Sequence, residues 1–592
     1  MGVDVGDLNA VFMKNMPPKP SNYVQRAGRA GRRTDSDAFI LTFCRLSSHD
    51  FYFFNNPKRM IEGKITPPIF KVDNKKIVER HVYSAIASWY WKKMSDVENV
   101  KDFFTEEKFT NVLNYIDEAK NNSDFRDFIL NILPSIELRN QYSVLFDEYI
   151  EKLKNVRNTF NGQLDEIIKR RQELYNEGVE RIGINSKRIR KLDNMVNTIN
   201  EIRVIDYYSR NNLIPKYGFP VDTVHLSTDP NYSRCGDSEG LDLQRDMAKA
   251  ISEYAPGAEV IADGNIYRSR YILKPFSKKD DKTWDEEIIA LCPKCLSAIR
   301  VSDIFDEDKL GEISCTNCGN SIRGNHVLFP RDGFTVEIND GKKEKATTKK
   351  PKKESHSEFY YLGREGLTSS PKLVPFGIHS FTMETTTDDE MYVQNNLDFC
   401  VCEKCGYALA INEYKAPKPK HKNLRGDYCN GSFLDNGRPS IKLGHSFKTD
   451  VTKLSFNVRL SQPQAMTVLY TLIEGFCTTF GIDRDNIDGL ITLPNSHGSN
   501  KVVFYIFDST PGGSGNSKKL YKASNEELRK IFQTAYDLVN ECNCGGENGD
   551  SVCYSCLCNY NNQKWHDSMK RKYAITFFSW LLGNEEKLVM EE

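Results

Sequence analysis

The sequence predicts a mixed α/β and α+β multidomain protein: a short α/β piece, a helical middle, and a second half of small metal-stapled modules closing in an α+β domain. Three observations predict it. Apolar runs of strand length at 10–12 and 38–43 flank a proline-rich loop and an arginine-rich stretch, which reads as strand, helix, strand. Between about 71 and 210, apolar residues recur at three, four or seven positions, the period of amphipathic helices. Sixteen cysteines, most of them in CxxC-type pairs, point to bound metal rather than disulfides in a chain of this size.

The opening stretch carries the most chemistry. Prolines 17, 18 and 20 hold a loop extended after the first strand, and Ser21 is placed to cap a helix. That helix would carry Gln25, Arg29 and Arg32 on one face, at spacings of four and three. Two arginine forks fixed side by side suit the charge that develops on a phosphoryl group in transfer. Glycines 28 and 31 leave room for a close neighbour. The alternative is a basic helix that is merely solvated or touches nucleic acid.

Read together, Gly2-Val-Asp4-Val-Gly6-Asp7 and Gln25-Arg26-Ala-Gly28-Arg29-Ala-Gly31-Arg32-Arg33 resemble motifs V and VI of the superfamily 2 DEAD/DEAH-box helicases. The resemblance implies a remnant of a RecA-like helicase C-terminal lobe. It also implies Gly2 and Asp4 near the nucleotide, Gln25 at the cleft between lobes, and Arg29 with Arg32 as arginine fingers toward ATP and its magnesium. No GxxxxGK[ST] stretch and no DEAD/DEAH-like box occur among the 592 residues, so nothing here cradles phosphates in the usual way. The expectation is a truncated lobe, with Met1 an internal methionine read as a start. The missing lobe would come from a longer parent or a partner.

Residues 34 to 70 finish this unit, and its unpaired sheet edge should be sticky. His49-Asp50 reads as a structural turn rather than a catalytic pair, since no partner nucleophile accompanies it. In the helical region, Leu153, Val156, Phe160, Leu164, Ile167 and Leu174 recur with helical period, as do Ile189, Leu192, Val196 and Ile199. Its basic faces, Lys169-Arg170-Arg171 and 187–191, fit either a DNA strand or plain solvation. Glycines 162, 178 and 183 argue against one unbroken rod. From 212 to 270, proline and glycine turns join short strands and a helix, and the stretch resembles a segment of helicases that end in an MrfA-type zinc-binding (MZB) domain.

Three metal sites follow. Cys292, Cys295, Cys315 and Cys318, with nineteen residues between the pairs, make a zinc ribbon. Cys402, Cys405, His421 and Cys429 fit a three-cysteine, one-histidine site, with Cys400 a competitor for the fourth place. Cys542, Cys544, Cys553 and Cys556 resemble the four-cysteine signature of the MZB domain; Cys558 is an extra thiol, which leaves open which four of the five bind the ion, and His566 reads as a supporting histidine rather than a ligand. Cys44, Cys235, Cys400, Cys477 and Cys558 are spare and read as small apolar residues. The lysine-rich stretch 340–358 reads as a linker. The Pro511-Gly512-Gly513-Ser514-Gly515 turn after a buried strand is either an anion nest or, more in keeping with the absent GK[ST], a tight packing turn before a helix near Ser524.

The expected division is a RecA-like remnant at 1–70, a helical region at 71–210, a connecting α+β segment at 211–285, a zinc ribbon at 286–335 and a basic linker at 336–358. A second zinc module at 359–450 and the MZB-type domain at 451–592 complete it. Lys plus Arg (81) balance Asp plus Glu (81), so any nucleic-acid surface must be a local patch. No apolar run reaches roughly 18 residues and no signal peptide opens the chain, which predicts a soluble, cytoplasmic protein with no membrane partner. The resemblance implies the C-terminal portion of an ATP-dependent DNA helicase of repair or of phage defence, as in the Druantia and DISARM systems, inactive as an ATPase by itself. The alternative is a non-catalytic, zinc-dependent DNA-binding accessory subunit that docks on a separate motor. A nuclease is disfavoured because no HxK pattern occurs.

Overall fold

The computed structural model describes residues 8–31, 37–63, 74–94, 97–176, parts of 189–214, 223–228, 241–274, 284–301, 313–337 except 317, 344–345, 355–363, 370–413, 420–433 except 425, 441–493, and 501–590 except 560, 561 and 586. Gly2, Asp4, Arg32, Cys235, glycines 178 and 183 and most of the lysine-rich stretch lie outside these residues.

Strands Ala10–Met13 and Phe39–Thr42 pair in parallel, with Ala10 opposite Phe39, and the helix Pro20–Ala27 connects them. The helix is shorter than its sequence suggests. It begins after Lys19 with proline at its first position and no side-chain cap, and it stops at Gly28, so Arg29 follows the helix instead of riding on it. Gly31 turns the chain beyond the helix. It has φ +65°, and a Cβ there would stand 2.6 Å from Ala38 Cβ, so the chain turns and crosses Ala38 where only glycine fits. Among the described residues this sheet has two strands, and Phe12, Phe39 and Phe43 are exposed on it.

The helical region is built from Lys75–Trp91, Glu106–Asn121, Ser123–Ile132 and Tyr142–Asn176 around Tyr83, Ile86, Phe103, Ile116, Ile129 and Phe146. Asn74 and Asn122 cap two of these helices by accepting from the backbone N–H of Lys76 and Phe125. Gly162 lies inside the 35-residue helix rather than ending it. One glycine costs about 1 kcal/mol in a helix, which burial of Leu153 and Phe160 in the turns before it offsets. In the core, Tyr149 donates to the Tyr90 hydroxyl at 2.8 Å and Tyr90 to that of Tyr208 at 2.9 Å; burial pushes all three phenols well up, so they stay neutral.

The segments expected as separate zinc modules and the last domain share one sheet of eleven strands. Its spine is the antiparallel pair His379–Asn395 and Ile441–Phe456, flanked by Ser357–Tyr361, Val502–Asp508 and Gly324–Leu328. A bulge between Thr386 and Asp389, with Asp388 at φ +58°, inserts one extra residue. That insertion switches side-chain parity. Phe381 and Met383, before the bulge, pack under the helices Gln462–Phe480, Asn525–Asn540 and Arg571–Leu582; Met391 and Val393, after it, face the opposite layer with Met247 and Ile251. The latter two belong to the helix Met247–Glu253, beside a six-stranded sheet made by the 223–345 segment.

Gln462–Phe480 is buried nearly all round, as a helix between a sheet and two other helices must be. Gly475 is its crossing point: a Cβ there would lie 2.6 Å from Ile531 O and 2.7 Å from Ala535 Cβ. The helix expected near Ser524 is present and carries a capping box with Glu527. Among the described residues, no helix is long and apolar enough to cross a membrane.

Candidate metal centres and the arginine segment

All twelve proposed metal ligands come together in the three expected sets, each with its donor atoms within 4.8 Å of one another. Four sulfurs held at about 2.3 Å from one tetrahedral ion stand about 3.8 Å apart. The measured separations match: 3.5 Å for Cys292–Cys318, 3.6 Å for Cys295–Cys315, 3.8 Å for Cys402–Cys429, and 3.5 to 3.9 Å among Cys542, Cys544, Cys553 and Cys556. All of these cysteines are free thiols rather than disulfides.

Local backbone chemistry makes the first two sites. In three knuckles the first cysteine's N–H donates to the carbonyl five residues on and its carbonyl accepts from the N–H four residues on: Cys292 with Ser297 and Leu296, Cys315 with Asn320 and Gly319, Cys402 with Tyr407 and Gly406. Closing that turn needs positive φ at the fourth residue, which Gly319 and Gly406 supply freely and Leu296 adopts at φ +64°. The first site's core is its own cysteines with Ala290 and Ile322, so a cation there replaces a hydrophobic core. At the second, the His421 ring stacks on Tyr407 at 4.6 Å, and Gly431 leaves space a Cβ would fill, 2.8 Å from Cys402 Sγ. A hydrogen bond with Cys405 holds the Cys402 thiol down at about 3 and pushes Cys405 up. Two thiols sharing one proton in this way are a site for a divalent cation. Cys400 is buried outside this set.

The third site is made differently. Cys553 starts a tight turn in which its carbonyl accepts from Cys556, Leu557 and Cys558 N–H, and positive-φ glycines 545, 546 and 549 shape the loop before it. Cys558 stands outside the set, its thiol pushed up to about 12 by burial. His566 is a supporting residue: its Nε2 lies 2.8 Å from Asn562 Oδ1 and 3.2 Å from Asn559 O. These residues fit zinc at all three sites by donor type, spacing and geometry.

The Pro511-Gly512-Gly513-Ser514-Gly515 turn is occupied from within. The N–H groups of Ser514, Asn516 and Ser517 donate to the Asp508 carboxylate and that of Gly515 to Asp450, so the anion it holds is the chain's own. Gly513, at φ +68°, has no space for a side chain, since a Cβ would fall 2.3 Å from Asp450 Oδ2. Lys76 places its Nζ 2.7 Å from both Asp450 oxygens, Lys518 comes within 3.2 Å, and Arg80 donates to the Gly512 and Gly513 carbonyls. This buried joint fastens the helical region to the last domain. No sequence motif marks it; the only signal is Lys76 and Arg80, one turn apart, on an otherwise apolar helix face.

In the arginine segment, Gln25 is exposed on its helix and Arg29 is half-buried just beyond it. His49 and Asp50 lie in the helix Ser48–Asn55 rather than in the expected turn. Asp50 is buried and accepts from Met16 N–H at 3.2 Å and Arg45 N–H at 2.9 Å; burial opposes its charge, but these donors and His49 hold the carboxyl below its usual range.

A helicase conserved C-terminal domain model matches residues 1–34, and an MrfA Zn-binding domain (MZB) model matches residues 468–557. These matches, at opposite ends of one chain, are to a helicase domain and to a zinc-binding domain of the MZB type. Over 98% of its length the chain is similar to Druantia protein DruE of Escherichia coli, at 24% identity, and spans 33% of that protein. It is also 29% identical over 110 residues to the ATP-dependent helicase HRQ1 of Saccharomyces cerevisiae, covering 18% of this chain and 10% of the relative. A crystal structure of the DUF1998 helicase MrfA bound to DNA aligns with 98% of the chain and 52% of its own, at 12% identity and a TM-score of 0.40.

Proposed function

We propose that the chain is the C-terminal portion of an ATP-dependent DNA helicase or translocase, working in DNA repair or phage defence. The observation that carries this reading is the pairing, in one chain, of the helicase match at 1–34 with the MZB match at 468–557. In this reading Arg29 and Arg32 neutralise charge on the transferred phosphoryl group, Gln25 lines the cleft between lobes, and Gly2 and Asp4 approach the nucleotide. ATP and magnesium are held by a Walker A lobe supplied by a longer parent or a partner, because no residues among these 592 form one. The zinc modules and basic faces offer the DNA surface. The absence of a Walker A stretch from these residues also favours a second reading, a non-catalytic zinc-dependent DNA-binding subunit docked on a separate motor.

Reconstitution separates the two. The chain is combined with a Walker A lobe, and DNA-stimulated ATP turnover is measured with Arg29→Ala and Arg32→Ala beside the wild type. An arginine finger is worth roughly a thousandfold in turnover, so loss on that scale supports the first reading. Turnover indifferent to both substitutions, with DNA affinity intact, leaves the second.

A further inference from the structure

The third metal knuckle turns its Tyr554-Ser555 bridge toward the arginine segment. Between its ligands Cys553 and Cys556 stand Tyr554 and Ser555, and both reach into the helix Ser48–Asn55. The Tyr554 ring packs edge-on against His49 at 5.2 Å and lies 5.7 Å from Tyr52 and 6.3 Å from Phe53, while His566 closes its other side at 5.4 Å. The Tyr554 hydroxyl meets Ser48 Oγ at 3.4 Å, and the Tyr52 hydroxyl bonds Ser555 Oγ and accepts from Arg59 at 2.7 Å. Met16, Phe53 and Met60 are buried in the same small cluster. Among the described residues this segment also meets the last domain through Lys19 with Asp483 and Asp485, exposed ion pairs that contribute little.

A helix of eight residues does not hold its shape alone and takes its stability from packing. Here the packing partner is a two-residue bridge whose backbone path is fixed at both ends by metal ligands. Three of the four ligands are half-exposed, whereas all four of the first site are buried, so a chelator or oxidant reaches the third site first. We infer that the third zinc knuckle is the socket that fastens the arginine segment to the C-terminal domain, so that losing metal at this one site releases the segment while the rest of the fold stays assembled. The inference stands whether or not the chain works as a helicase.

Hydrogen exchange across 48–61 in the full chain, read beside zinc content, tests it. Cys544→Ser removes one zinc and raises exchange in 48–61 by about tenfold or more. Tyr554→Ala does the same to exchange with zinc content unchanged, and Tyr554→Phe, which keeps the ring, stays within about twofold of the wild type. Cys315→Ser, which empties the first site, leaves 48–61 protected. Protection of 48–61 surviving Tyr554→Ala overturns the inference even if Cys544→Ser disrupts its own domain; so does equal release by Cys315→Ser.

Discussion

Replacing Asp450 by alanine should open the joint between the helical region and the last domain. The carboxylate is 0% exposed and the Lys76 side chain 12% exposed, so neither charge has water to turn to. Alanine removes two 2.7 Å bonds from Lys76, the 3.2 Å contact with Lys518 and the acceptor for Gly515 N–H, leaving Lys76 with Asp388 at 3.6 Å and Lys518 with Thr387 Oγ1 at 2.7 Å. Fully stranding one side of a buried ion pair costs about 3–5 kcal/mol, and Asp388 holds this loss to the lower end, about 3 kcal/mol. Because the chain has several domains, the loss is best read locally, as amide exchange over 74–80 and 508–517, where about 3 kcal/mol is roughly a hundredfold rise. Lys76→Met should cost less, since Asp450 keeps Lys518 and Gly515. A change below about 1 kcal/mol for Asp450→Ala, or a larger one for Lys76→Met, would refute the assignment of Asp450 as the centre of the joint.

Other substitutions probe the remaining devices. Gly513→Ala meets both a φ of +68° and the Asp450 carboxylate, and should destabilise the same joint by about 2 kcal/mol or more in urea unfolding followed by local exchange. Gly475→Ala should force the helices Gln462–Phe480 and Asn525–Asn540 apart at a cost of about 1–3 kcal/mol in the same assay. Native mass spectrometry should count three zinc ions per chain, still three in Cys558→Ser and His566→Ala, and two in Cys429→Ser. Asp50 titrates below its ordinary 3.8, so its stabilisation is present above that value and lost as pH falls through the lower folded one. Exchange at Met16 and Arg45, corrected for intrinsic rate, should rise in that acid window, and in Asp50→Asn it should already be raised at neutral pH.

The three candidate ligand sets were legible in the sequence where spacing is a local property, as in the turn between Cys292 and Cys295, which closes on its own backbone hydrogen bonds; the choice between Cys556 and Cys558 was not. The Ser524 cap and the strand Val502–Asp508 were legible for the same reason. What the sequence hid is pairing at a distance. Nothing near residue 288 announces that Glu286–Leu291 shares a sheet with His379–Asn395, and the parity switch at Asp388 is one residue of bulge with no motif. Glycines misled in both directions: Gly162 sits harmlessly in a helix, whereas the arginine helix stops at Gly28, before Arg29. Tyr554, between two candidate ligands, carries no local signal of what it packs against. Its role depends on a helix some five hundred residues earlier, as its bond to Ser48 shows.

The most direct measurement of the central claim is ATP turnover by the 592-residue chain with DNA, alone and then with a Walker A lobe added in trans. The account predicts background turnover alone and DNA-stimulated turnover on addition of the lobe. Turnover by the isolated chain that disappears on Arg29→Ala would contradict it, because these residues would then hold and hydrolyse the nucleotide unaided.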